Sequence, residues 1–214
     1  MLEPWAKITM AVAGTAMIAV SQMFLMGKPS EARIREVLAA QATAGFSYPG
    51  AGETRDHAPP GYRVRQLSLA LGHGPAVFER AKQAIREWRM FDIGWIELCW
   101  PDVPIGPGST VGVLARHLGF RSLNVCRIVY GIDEPRRYGF AYGTLPEHAE
   151  AGEERFTVEW WEDDSVWYGI LAFSREKHPL ARMAYPLSRM LQARFRRDSG
   201  LAMQRAVARS GIGR

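Results

Sequence analysis

The densest set of titratable side chains lies in FAYGTLPEHAEAGEERFTVEW, Phe140–Trp160, where His148 sits among Glu147, Glu150, Glu153 and Glu154. Imidazole has an unperturbed pKa near neutrality, so His148 is a candidate general acid or base, and His117 is the second. A metal centre needs several converging ligands with oriented partners behind them. One histidine among loop glutamates does not make that set, so no metal is expected. Pro146 and Gly152 mark Leu145–Glu154 as an irregular connection, and Leu145, His148, Glu150 and Glu154 are assigned to the mouth of a pocket.

A second group of charges sits inside apolar alternating runs: Glu97, Arg116, Arg127, Arg155 and Glu159. A charge in such a run faces solvent or is paired. An inward Arg127 would hold a ligand carboxylate or phosphate by a two-pronged contact, whereas an outward one would join cross-strand ion pairs, as Arg155 or Glu159 would. His117 follows Arg116 and therefore faces the opposite way, so one of the two looks inward. No activated nucleophile is recognisable: GxSxG, HExxH and a phosphate-cradling glycine loop are all missing, and GPGST lacks the lysine and helix of a P-loop. No cofactor is expected.

The elements that must position these residues are legible from periodicity. KPSEARIREVLAAQATAGF reads as a helix capped by Ser30, with Ile34, Val37, Leu38 and Gln41 as its inner stripe. SYPGAGETRDHAPPGY is irregular, YRVRQLSLALG alternates as a strand, and GPAVFERAKQAIREWRMF is a helix with Pro75 in its first turn. Six short alternating runs follow: IGWIELCW, STVGVLARHLG, NVCRIVYGI, RYGFAYGT, ERFTVEWW and SVWYGILAF. A long helix closes the chain, its stripe formed by Leu180, Met183, Ala184, Leu187, Leu191, Phe195 and Ala202, with a kink expected at Pro186.

The 214 residues suffice for one domain, and 47% hydrophobic content supports a real core. Cys99 and Cys126 lie in apolar runs and read as buried free thiols. The net charge of +5 is concentrated in the arginines of the C-terminal helix. That run lacks the interleaved aromatic platforms of nucleic-acid surfaces, so no nucleic acid is expected. ITMAVAGTAMIAVSQMFLM, Ile8–Met26, is uncharged and about long enough to cross a bilayer. It reads as an uncleaved anchor that leaves the following domain in the cytoplasm, as a signal peptide cut after AVS, or as an upstream extension. The division is residues 1–27, an apolar segment and candidate membrane contact, and 28–214, a single domain of expected cytoplasmic location.

A seven-stranded antiparallel sheet with one long amphipathic helix must curl so that the helix lies across its concave face. In RYGFAYGT, Tyr138, Phe140, Tyr142 and Thr144 point one way. Gly139, Ala141 and Gly143 point the other, a face that a helix or ligand can approach closely. A curled sheet and a single helix leave space between them, the usual profile of a small-molecule pocket. Trp95, Tyr130, Phe140, Tyr142 and Tyr168 are its candidate apolar contacts, with Arg127 or His117 as the polar anchor.

ARHLG, CRIVY, YGTLPEH, GEERF and FSREKHPLAR together resemble the bacterial and plant family of domain of unknown function 1990, from about Phe24 to Ala208. That family brings no established activity. More distantly, the order of elements is similar to the helix-grip superfamily of START and birch-pollen-allergen-like domains, which implies an α+β fold enclosing a lipid-like ligand, and in some members cyclase or hydrolase activity. The superfamily's second short helix would require a break near Trp88. Three functions follow as expectations. The first is a carrier of an apolar or amphipathic small molecule. The others are an enzyme of cyclase, dehydratase or hydrolase type using His148 or His117, and an interaction module using the basic C-terminal helix.

Overall fold

The computed structural model describes residues 24–25, 27–55, 58–117, 119–148, 150–176 and 185–209. Seven strands form one antiparallel sheet: β2 (Arg63–His73), β3 (Ile96–Cys99), β4 (Thr110–His117), β5 (Phe120–Glu134), β6 (Arg137–Thr144), β7 (Glu150–Trp160) and β8 (Ser165–Glu176). Their order is β2-β8-β7-β6-β5-β4-β3, and a short β1 (Phe24–Leu25) pairs with β5. The helices are α1 (Glu31–Gln41), α2 (Pro75–Arg86) and α3 (Tyr185–Arg209). This is the α+β helix-grip arrangement expected from the sequence. The rest of Ile8–Met26 lies outside the described residues, as do Leu180, Met183 and Ala184 of the expected stripe. Among the described residues no helix is long and apolar enough to cross a membrane.

Local sequence explains the ends of the helices. The Ser30 hydroxyl accepts the Arg33 amide at 3.2 Å and caps α1. Pro75 opens α2, where its missing N–H costs nothing. α2 ends at Arg86; Trp88, two residues on, takes a left-handed conformation (φ 55°), and a 3₁₀ turn, Arg89–Phe91, follows. That turn occupies the place of the second short helix and drives Met90 and Phe91 into the core. Pro186 is the second residue of α3, and the residues before Tyr185, on the other side of the expected kink, lie outside the described residues.

The concave face is shared by two helices. Phe78, Ala81 and Ile85 of α2 and Met203 and Val207 of α3 pack on Phe140, Phe156, Tyr168 and Ile170 of the sheet. Among the described residues, the other end of the concave face is roofed by the first half of α3.

The convex face is covered as well, by α1 and by the irregular segment after it. Ile34, Val37 and Leu38 join Leu114, Leu123, Val125 and Leu145, while Tyr48 and Tyr62 pack on Phe173. Strands buried on both faces explain the near-continuous apolar runs in β4 and β5. Cys99 belongs to the convex side and Cys126 to the concave side, so the two free thiols are separated by the sheet.

The glycine–alanine face of β6 is therefore approached by the segment carrying Phe46 and Tyr48, and not by the long helix. A Cβ at Gly143 would lie 2.2 Å from the Tyr48 hydroxyl and 2.9 Å from Phe46. Gly143→Ala is expected to force that segment off the sheet and to destabilise by about 2 kcal/mol, read as a lower urea midpoint.

Candidate functional site

Between the sheet and the first half of α3 lies a cavity of about 350 Å³. Its floor is Phe91, Trp95 and Ile96, and one wall is Val113 and Ala115 of β4 with Ser122, Asn124 and Cys126 of β5. Leu187, Leu191 and Phe195 of α3, three residues of the expected stripe, form the roof beside Gln192 and Arg196. Among the described residues, α2 packs at the opposite end of the concave face.

The chemistry is concentrated in one row across the sheet. Ile128 pairs with Tyr142, Tyr142 with Glu154, Glu154 with Ala172, and Ala172 with Arg65. From Tyr142 to Arg65 every member lines the cavity, and the small Ala172 leaves room between the carboxylate and the guanidinium. The Tyr142 hydroxyl donates to Glu154 at 2.8 Å. Burial pushes the Glu154 carboxyl up to about 7; Glu150 adds to the rise, while the Tyr142 hydrogen bond and Arg196 oppose it. Burial and the Glu154 charge hold the Tyr142 phenol well above its ordinary value. A carboxyl that changes protonation near neutrality inside a mostly apolar chamber can accept a ligand's hydrogen bond or donate one.

Glu150 stands at the start of β7, bound by Ser188 Oγ and Gln192 Nε2, each at 2.6 Å. These contacts tie the β6–β7 connection to the first turns of α3. His148 also lines the cavity, and its Nδ1 accepts the Glu150 amide at 3.0 Å. Trp95 donates its indole N–H to Asp198 at 3.0 Å and lies under the Arg194 guanidinium. Among the described residues no cluster of His, Cys, Asp or Glu could hold a metal ion.

Of the residues singled out in the sequence, Trp95, Tyr142, His148, Glu150 and Glu154 come together around this cavity. Five others lie elsewhere. Phe140 sits under α2, stacked edge-on against Trp88 at 4.9 Å, and Tyr168 hydrogen-bonds Ser199 at 2.8 Å beneath the second half of α3. Leu145 is buried on the convex side. Tyr130 also faces the convex side, because the register shift between Ile128 and Tyr130 turns the strand over; its hydroxyl meets Thr54 at 2.7 Å. Arg127 is not a ligand anchor: its guanidinium donates to the carbonyls of Gln41, Ala42 and Ala44 and closes the C-terminus of α1. The His117 side chain lies outside the described residues.

The mouth is also shorter than expected. The irregular connection ends before Glu150, and Gly152, Glu153 and Glu154 belong to β7. Two charged cavity residues escaped the sequence reading. Arg65 continues the concave face of Leu67 and Leu69 in RVRQLSLAL, a visible charge on an apolar stripe. Arg196 is one position past Phe195, at the flank of the helical stripe, where a cation looks like a solvated neighbour.

Residues 47–202 match the family model "Domain of unknown function (DUF1990)", a narrower span than Phe24 to Ala208. A UPF0548 protein of Dictyostelium discoideum is 34% identical over 86% of this chain and 96% of its own length. One from Deinococcus radiodurans is 36% identical over 86% of this chain and 99% of its own. The solved structure of Ara h 8.0201 aligns at 17% identity with a TM-score of 0.45, over 69% of this chain and 99% of that one. With three quarters of its length under the family model and such relatives at full length, the chain belongs to the DUF1990 family.

Proposed function

We propose that this protein is a binding or carrier protein that holds one apolar or amphipathic small molecule between the sheet and α3. The observation that carries the reading is the cavity itself: about 350 Å³, walled largely by apolar and aromatic groups, with a few polar side chains converging at one end. A folding chain gains by filling such a space with side chains, and here β4 and β5 present Ala115 and Ser122 to it instead of larger groups. Trp95 and Phe91 supply flat apolar contact, and Tyr142 with Glu154 supplies a polar pair at the far wall. The β6–β7 connection and the first turns of α3, joined through Glu150, form the door through which a ligand enters.

Native mass spectrometry of gently purified protein tests this. An added mass lost on denaturation is expected, and Ala172→Phe, which puts a ring into the cavity, is expected to abolish it while circular dichroism stays unchanged. Protein that is repeatedly ligand-free and takes up no apolar probe would overturn the reading.

A further inference from the structure

The charged and titratable groups that line the cavity are Arg65 on β2, Cys126 on β5, Tyr142 on β6, Glu150, Glu153 and Glu154 on β7, His148 in the β6–β7 connection and Arg196 on α3; the Glu153 carboxylate turns to the convex side, where Tyr48, Gly52 and Thr54 bind it. Of the cations, Arg196 is half-buried and makes no direct hydrogen bond or ion pair among the described residues, although its neighbours along α3, Arg194 and Arg197, are both bound to Asp198. Burial weighs most on its charged form, Glu154 and Glu150 act on it as opposite charges, and Arg65 acts on it as a like charge. A guanidinium presents a rigid fork of donors, and one left without acceptors in a partly dry wall is costly until an anion reaches it.

We propose that the cavity takes an amphipathic monoanion, an apolar molecule ending in a carboxylate, and that this carboxylate seats on Arg196 at the Arg65 end. The inference rests on the cavity being a ligand site and adds the class of ligand. A cationic ligand would meet Arg65 and Arg196 at this end, and a second negative charge on the ligand would be repelled by Glu150, which Ser188 and Gln192 hold beside them. The anchored anion would also hold the proton on Glu154, because each further negative charge beside it, after Glu150, makes its ionisation costlier. The body of the ligand would then lie along Phe91, Trp95 and Leu191.

Isothermal titration of the full chain with decanoate, decanol, decyltrimethylammonium and acetate, below micellar concentrations, separates the contributions. Decanoate is expected to bind about tenfold or more tighter than decanol, the ammonium weakest of the three, and acetate not detectably. Arg196→Gln is expected to erase the preference for decanoate while leaving decanol affinity within about twofold. Decanoate affinity is expected to fall as pH rises from about 6 to about 8, and Glu154→Gln to make it independent of pH. Decanol binding as well as decanoate, or the ammonium binding best, would overturn the anion assignment and leave the carrier reading standing. A decanoate preference that survives Arg196→Gln would overturn the seat. No binding by any of the three long-chain probes would overturn both proposals.

Discussion

Glu153→Ala is expected to destabilise the protein by about 4 kcal/mol, the largest effect of any single substitution considered. Glu153 is 2% exposed, on the convex side of β7. Its carboxylate accepts the Tyr48 hydroxyl at 2.6 Å, the Gly52 amide at 2.7 Å, the Thr54 amide at 3.1 Å and the Thr54 hydroxyl. The segment that donates these bonds has little regular structure beyond a 3₁₀ turn, Glu53–Arg55, and its own amides would otherwise be buried against the sheet without acceptors. Removing the carboxylate strands several donors at once, and each buried orphan costs about 1–3 kcal/mol before relaxation. Urea unfolding should show a lower midpoint with an unchanged slope if the fold stays two-state. Glu153→Gln, which keeps one acceptor oxygen, should recover part of the loss. A shift of less than about 1 kcal/mol for Glu153→Ala would mean that the carboxylate does not fasten the segment.

The same fastening explains why the strand charges were hard to place from sequence. A charge alternating with apolar residues suggests either solvent or a partner charge, and Glu159 does take the second course, pairing with its cross-strand neighbour Arg137 at 3.2 Å. Arg127 and Glu153 take a third. Arg127 binds the carbonyls that end α1, and Glu153 binds amides of a covering segment, SYPGAGETRDHAPPGY, which has no periodicity to announce that it lies on the sheet. Arg155 joins them through the Thr54 carbonyl, 2.5 Å from its guanidinium.

The strands themselves were legible because alternation survives in six of the runs, and the concave placement of Tyr142 followed from counting along β6. Counting failed for Tyr130, where one bulge reverses the faces. It failed again at Glu150–Glu154, where glutamates and Gly152 are poor strand formers that pairing with β6 and β8 overrides. Of the cavity, the aromatic and acidic half was visible in the sequence. The arginine half was not, because a helix-borne cation such as Arg196 has the same signature whether it faces water or a chamber.

Glu154 makes folding stability depend on pH in a direction that few carboxylates do. Its carboxyl is raised from an ordinary 4.5 to about 7 by burial, so between those values the folded protein holds a proton that the unfolded chain releases. Below the lower value both states are protonated and the contribution is fully present; as pH rises through the higher value the folded group must ionise in the cavity wall and the contribution is lost. The expected loss is about 3 kcal/mol across that interval. Asp198, whose carboxyl is pulled below its ordinary 3.8, works in the opposite sense and at lower pH, outside the window. Glu154→Gln keeps the shape and stays neutral, so urea unfolding from about pH 5 to about pH 8 should show the variant gaining on the wild type as pH rises. Parallel curves would mean that Glu154 ionises as a surface carboxylate does, and the polar end of the cavity would then be permanently anionic. The same proton sets what the cavity can accept: only with Glu154 neutral does Arg196 present an uncompensated charge to an incoming carboxylate. The pH at which the loss of stability levels off should therefore coincide with the pH at which decanoate affinity falls.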